Sequence, residues 1–306
     1  MASGSKLVIY AALAGNVGIA VTKFVAAAIA GSSSMLTEGI HSLVDSTNQL
    51  LMLYGRHRSQ APPDDLHPLG HGRELYFWAF LVALLIFTAG AGISVYEGVI
   101  HIVDPHPITD WRINFAVLAI AALFEGTSLF FAVREFRKQR DPEDSYWRSL
   151  RESKDPSVFV VLLEDSAALA GLLVAAICIG LAVSTRNPLW DGVGSMVIGT
   201  ILGIVAAVLA RETKHLLIGE RATEQLRTDL RRAAEQTPEV CFVNEVITMQ
   251  MAPKEVVATL SIQFKDGLLL AQIERVIEGI NARMVKKHPE LRRLFIHPRA
   301  SAREDP

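Results

Sequence analysis

The sequence predicts a mainly α membrane protein, a six-transmembrane-helix bundle followed by a C-terminal cytosolic α+β domain. Three observations predict it. Before about residue 210 the charges sit in short islands between long apolar runs, and afterwards they are spread evenly. Six of the apolar runs are long enough to cross about 30 Å of hydrocarbon at 1.5 Å per residue. The segments between them carry very unequal numbers of Lys and Arg.

The spans are expected near 7–30, 35–55, 75–101, 112–135, 158–184 and 188–210, so the membrane domain covers 1–210 and the second domain 211–306. The 7–30 run is too long for a signal-peptide core and reads as a retained first span. Arg56, Arg58 and Arg73 lie between spans two and three. Arg134, Arg137, Lys138, Arg140, Arg148, Arg151 and Lys154 lie between spans four and five. The other connections add only Arg112 and Arg186. The positive-inside rule then places both termini and both basic loops in the cytosol, and a bacterial inner membrane is the expected location.

After Arg211 the pattern changes. Residues 220–236 read as a polar helix, 243–251 and 255–264 as strands joined by a turn at Ala252-Pro253-Lys254, 268–287 as a helix and 294–296 as a short strand. That order predicts a small ferredoxin-like α+β domain, which gains stability by pairing with a second copy.

Composition excludes several functions. The 306 residues carry a net charge of −2, which gives no basis for a nucleic-acid partner. Two cysteines, Cys178 and Cys241, lack a Cys or His at ligand spacing, so neither a disulfide nor a thiolate zinc site is expected. No glycine-rich phosphate loop, Ser-His-Asp arrangement or nameable general base marks an enzyme.

Chemistry concentrates in two spans. In span two His41 and Asp45 are four residues apart on one helical face, with Asn48 a turn further on. Span five carries Glu164 and Asp165. Ionisable groups at membrane depth are costly unless they face protein, water or a metal, and these four offer a divalent ion one nitrogen and two or three oxygens. Zinc suits such a set, and iron, cobalt and manganese are chemical rivals. A proton relay and a hydrogen-bonded pair that only joins helices fit the same spacing. Asn16 and Lys23 in span one and Glu125 in span four read as a polar stripe facing the bundle interior.

Gly31-Ser32-Ser33-Ser34-Met35, then His41 and Asp45, then the run from His67 to Glu74, resemble the cation diffusion facilitator family over nearly the whole chain. Residues 162–166 and 187–191 resemble more specifically the branch containing a human mitochondrial zinc transporter. The resemblance implies a homodimer in the lipid bilayer that exports Zn2+ from the cytosol, exchanging it for protons by alternating access, with no organic cofactor. It implies transport-site ligands at His41, Asp45 and Asp165. The fourth family position is Val161 here, which cannot coordinate. Glu164 can substitute for it or pair with Lys23, although it lies about 100° around the helix from Asp165. The resemblance also implies a secondary loop site at Asp64, His67 and His71. A membrane metal sensor without flux and an intramembrane metal hydrolase remain as competing functions.

Overall fold

The computed structural model describes residues 2–108, 110–139 and 145–299; Arg140 of the second basic loop lies outside them. The chain divides into two compact units. One comprises Met1–Arg58 with Phe77–Lys214, the other Ser59–Tyr76 with His215–Pro306.

The first unit is built from α1 (Ala2–Ala30), α2 (Ser33–Ser59), α3 (Glu74–Leu85), α4 (Ile93–Val103), α5 (Trp111–Gln139), α6 (Tyr146–Glu152), α7 (Pro156–Thr185) and α8 (Leu189–Ile218). A π-helical stretch, Ile86–Gly92, joins α3 to α4, so the third span is one long helix with a locally widened turn. Neither this stretch nor the short α6 was expected from sequence. Glu74–Val103, Trp111–Arg137, Pro156–Thr185 and Leu189–Ile218 are each long and apolar enough to cross a membrane.

Helix α2 completes the bundle with an inverted pattern. Glu38, His41, Ser42, Ser46 and Asn48 are buried, while Leu43, Leu50 and Tyr54 are exposed. In water that arrangement would be unstable; in lipid it is what an amphipathic helix must do. The polar face that lowers the hydropathy of α2 is therefore the face that meets its neighbours.

Local chemistry sets the helix ends. Gly31, with φ of +66°, makes the turn from α1 to α2. Asp155 caps α7 by accepting from the backbone N–H of Ser157 at 3.0 Å, with Pro156 at the first helical position. The start of α2 is capped from a distance: Asp191 on α8 accepts from the N–H groups of Ser33 and Ser34 at 2.6 and 3.2 Å and from Ser32 Oγ at 2.9 Å. Helices α4 and α8 cross closely at Gly98 and Gly192. A Cβ at Gly192 would stand 3.0 Å from the carbonyl oxygen of Gly98.

The second unit contains α9 (Glu224–Glu235), β1 (Val240–Ala252), β2 (Glu255–Phe264), α10 (Leu270–Lys287) and β3 (Leu291–Pro298). The sheet order is β1-β2-β3, antiparallel between β1 and β2 and parallel between β2 and β3. Leu226 and Leu230 of α9 and Ile280 and Met284 of α10 pack with Val243 and Leu260 in one core. Helix α9 begins at Glu224 rather than at residue 220, because residues 220–222 run along β1 instead. The N–H of Gln250 donates to the Glu220 carbonyl at 2.8 Å, and that of Ala222 to Thr248 Oγ1 at 3.1 Å. Strand β3 is longer than 294–296, since its N-terminal half pairs with β2 and Arg292 bonds Glu255 at 3.0 Å.

Residues 59–76, which follow α2, belong to this second unit. Arg73 donates to Met249 Sδ at 2.7 Å and Arg293 to the Pro68 carbonyl at 3.2 Å. Gly72 sits against the end of β1, where a Cβ would come within 2.8 Å of the Met251 carbonyl oxygen.

Candidate functional site

Helix α2 turns His41 and Asp45 inward. His41 is 1% exposed, and its Nε2 lies 3.5 Å from Asp45 Oδ2. Among the described residues neither ring nitrogen of His41 has a hydrogen-bond partner, and Asp45 Oδ1 has none either. Buried polar atoms are rarely left so, and their clustering marks a place built for something else.

Helix α7 supplies Glu164 and Asp165, both buried. Asn48 Nδ2 donates to Glu164 Oε1 at 2.7 Å, and Ser128 Oγ of α5 donates to Asp165 Oδ2 at 2.7 Å. Between α1, α2, α5 and α7 lies a cavity of about 550 Å³ bounded by Asp45, Glu125, Val161, Glu164 and Asp165, among others. Both adjacent carboxylates of α7 reach it, despite their angular separation. His41 is not among the residues that line the cavity, although its neighbour Asp45 is.

Two expectations need revision. Lys23 does not pair with Glu164: its Nζ bonds Glu38 Oε2 at 3.0 Å and Ser42 Oγ at 2.8 Å, with both charged side chains fully buried. Glu125 does more than continue a stripe, since it borders the same cavity as the acids of α2 and α7. Its position in mid-span was the available signal. The carboxylates surround the cavity without closing to coordination distance.

Asp64, His67 and His71 are the one group of three or more His, Cys, Asp or Glu among the described residues with ligand atoms within 4.8 Å of one another. Asp64 Oδ1 lies 3.1 Å from His67 Nδ1, and Oδ2 lies 3.1 Å from His71 Nε2. The backbone N–H of His67, donating to Asp64 at 2.6 Å, holds that carboxyl below the usual range, helped by both imidazoles. One carboxylate and two imidazoles form a donor set that zinc accepts.

In the C-terminal domain His288 has two acidic partners. Its Nε2 lies 2.9 Å from Asp229 Oδ2 and its Nδ1 3.1 Å from Glu290 Oε1. Asp229 also accepts from Lys287 at 2.8 Å. The two carboxylates engage opposite ring nitrogens, a geometry that orients the ring and closes α10 against α9.

Residues 9–218 match the family model described as the cation efflux transmembrane domain. The chain is 38% identical over 225 residues to the proton-coupled zinc antiporter SLC30A9, mitochondrial, of Homo sapiens, covering 73% of this chain and 40% of that protein. It is 36% identical over 251 residues to the protein of the same name in Xenopus laevis, covering 82% and 45%. It is 35% identical over 199 residues to metal tolerance protein C4 of Arabidopsis thaliana, covering 63% and 43%. The chain thus spans less than half the length of these relatives. The mitochondrial names overturn the expected bacterial inner membrane with cytosolic termini. Loop charge orients spans across a membrane, but it does not say which membrane that is.

Proposed function

This chain belongs to the cation diffusion facilitator (cation efflux) family, and on that premise we propose that it carries a divalent transition-metal ion, zinc first, across a membrane in exchange for protons. The observation that carries the reading is the cavity where Asp45 of α2 meets Glu164 and Asp165 of α7, more than a hundred residues away in sequence. His41, buried with unpartnered nitrogens beside Asp45, supplies the imidazole. We assign the transport ligands to His41, Asp45, Asp165 and Glu164, and the loop group Asp64, His67 and His71 to a second, non-transporting zinc site.

Proton coupling follows from ligand chemistry. A divalent ion needs a neutral imidazole and ionised carboxylates, so protons and metal compete for the same atoms. A proton gradient across the membrane then drives release on one side and loading on the other. The relatives named as proton-coupled zinc antiporters support this reading, and those named mitochondrial point to a mitochondrial membrane. Homodimer formation belongs to the same proposal. Ile247, Thr259 and Phe295 lie in one cross-strand row, with the first and last half exposed, and such a row favours burial against a second copy.

The test is zinc flux into liposomes holding the purified chain, with and without a pH gradient, for the wild type and Asp45→Asn. Gradient-dependent flux lost in the variant is expected. Zinc binding without flux would leave a sensor in place of a transporter.

A further inference from the structure

We propose that Glu125 of α5 is a ligand of the transported ion and takes the coordination place that Val161 leaves apolar; this deepens the transport reading above and rests on it. The geometry starts at Val161. It lies one turn before Asp165 on α7, borders the cavity, and offers only hydrocarbon to an ion. The same cavity is lined from α5 by Glu125 and, one turn later, Ser128. The 2.7 Å bond from Ser128 to Asp165 fixes this face of α5 against α7, so the Glu125 and Asp165 carboxylates open onto one space.

Among the described residues Glu125 makes no hydrogen bond or ion pair that would give it a purely structural role. Lys23, the buried cation of α1, is bonded to Glu38 and Ser42 instead. Four carboxylates around one cavity repel each other unless a cation sits among them. His41, which does not itself line the cavity, is 1% exposed beside the cavity-lining Asp45, and among the described residues neither of its nitrogens has a hydrogen-bond partner. The space suffices as well. Six waters around a divalent ion need roughly 180 Å³ at ~30 Å³ each, against about 550 Å³ available. The ion can enter hydrated and exchange water for carboxylate oxygens. A donor set gaining a third helix also gains oxygen character, which shifts preference towards harder divalent ions.

The experiment uses the full chain, with zinc flux in liposomes and equilibrium zinc binding in detergent. Glu125→Gln is expected to raise the zinc KM and Kd by about tenfold to a hundredfold. Adding Val161→Asp to that variant returns a carboxylate to the cavity and should restore most of the loss, which a merely structural role would not do. Wild-type KM and Kd in Glu125→Gln would overturn the proposal. If that variant does not fold, Glu125→Asp retains the charge but withdraws the oxygens by one methylene; a ligand requires a several-fold KM rise, and an unchanged KM overturns the role. A wild type that binds zinc but shows no flux sinks the transport reading alone, while its Kd against that of Glu125→Gln still decides Glu125.

Discussion

Asn48 donates from Nδ2 to Glu164 Oε1 at 2.7 Å, joining α2 to α7 inside the bundle. Asn48 is fully buried, and its Oδ1 has no hydrogen-bond partner among the described residues. The bond fixes which way Glu164 points. Asn48→Leu should therefore cost about 1–3 kcal/mol by leaving a buried carboxylate unpaired. It should also raise the zinc KM by releasing a candidate ligand from its position. Thermal unfolding in detergent and liposome flux check the two parts, and an unchanged melting temperature would remove the first.

The Lys23–Glu38 pair makes a separate prediction. Both side chains are at 0% exposure, so each compensates the other's buried charge. Lys23→Met alone should destabilise by about 3–5 kcal/mol, because it strands a buried acid. Lys23→Met with Glu38→Met should recover most of that, since two apolar side chains of similar volume need no partner. A double variant as unstable as the single one would show that the pair has a further partner.

Much of the bundle was legible because apolar runs of span length have few alternatives in water or lipid. The polar face of α2 was legible for the converse reason: Glu38, His41, Asp45 and Asn48 recur at helical spacing and must point inward. Helix rotation was not legible. Whether Lys23 meets Glu164 or Glu38 depends on how α1 turns against α2, and no periodicity in α1 fixes that angle. Glu125 was discounted on the same ground, since its neighbours across the cavity come from other helices. The association of residues 59–76 with the C-terminal unit rests on Gly72, Arg73 and Arg293, whose contacts are separated by more than a hundred residues. The Asp229 partner of His288 is not legible for the same reason, being far away in sequence, whereas Glu290 lies two residues on.

The sequence places Asp191 at the start of the last span, and the structure makes it the cap of α2. Its carboxylate is fully buried and accepts three hydrogen bonds from residues 32–34. Asp191→Ala should cost at least the ~1–2 kcal/mol of a lost helix cap. Its effect on flux should exceed that of a surface change, because α2 loses its anchor to α8. Asp191→Asn keeps an acceptor and should fall between. Unfolding and flux measured on both variants give the ranking, and equal loss from Ala and Asn would assign the role to charge instead.

The C-terminal domain has a pH dependence with a definite sign. Hydrogen bonding from Lys287, joined by His288, holds the Asp229 carboxyl below its usual range. A carboxylate whose folded pKa is depressed contributes stability fully above its unfolded pKa, about 3.9. That contribution is lost as pH falls through the lower folded value. Asp229→Asn should therefore be less stable than wild type at neutral pH, and the difference should shrink below about pH 4. Hydrogen exchange of the amides in α9 and α10, followed from pH 7 downwards, reads the convergence. A gap that stays constant on acidification would mean that packing, not charge, is what the substitution removes.

The loop group and the cavity should separate under mutation. Asp64 accepts from the His67 backbone and engages both imidazoles, so its carboxyl is held ionised and the three proposed ligands are already drawn together. Little ordering remains to oppose binding, which favours affinity. His67→Ala with His71→Ala should remove about one zinc per chain in equilibrium binding, as expected for loss of two of three protein ligands. Transport should survive with a shifted KM, because none of the three is among the residues that line the cavity. Asp45→Asn should do the reverse, abolishing flux while the loop still titrates with metal. Loss of flux in the double histidine variant would place the loop on the ion's path and join the two sites into one route.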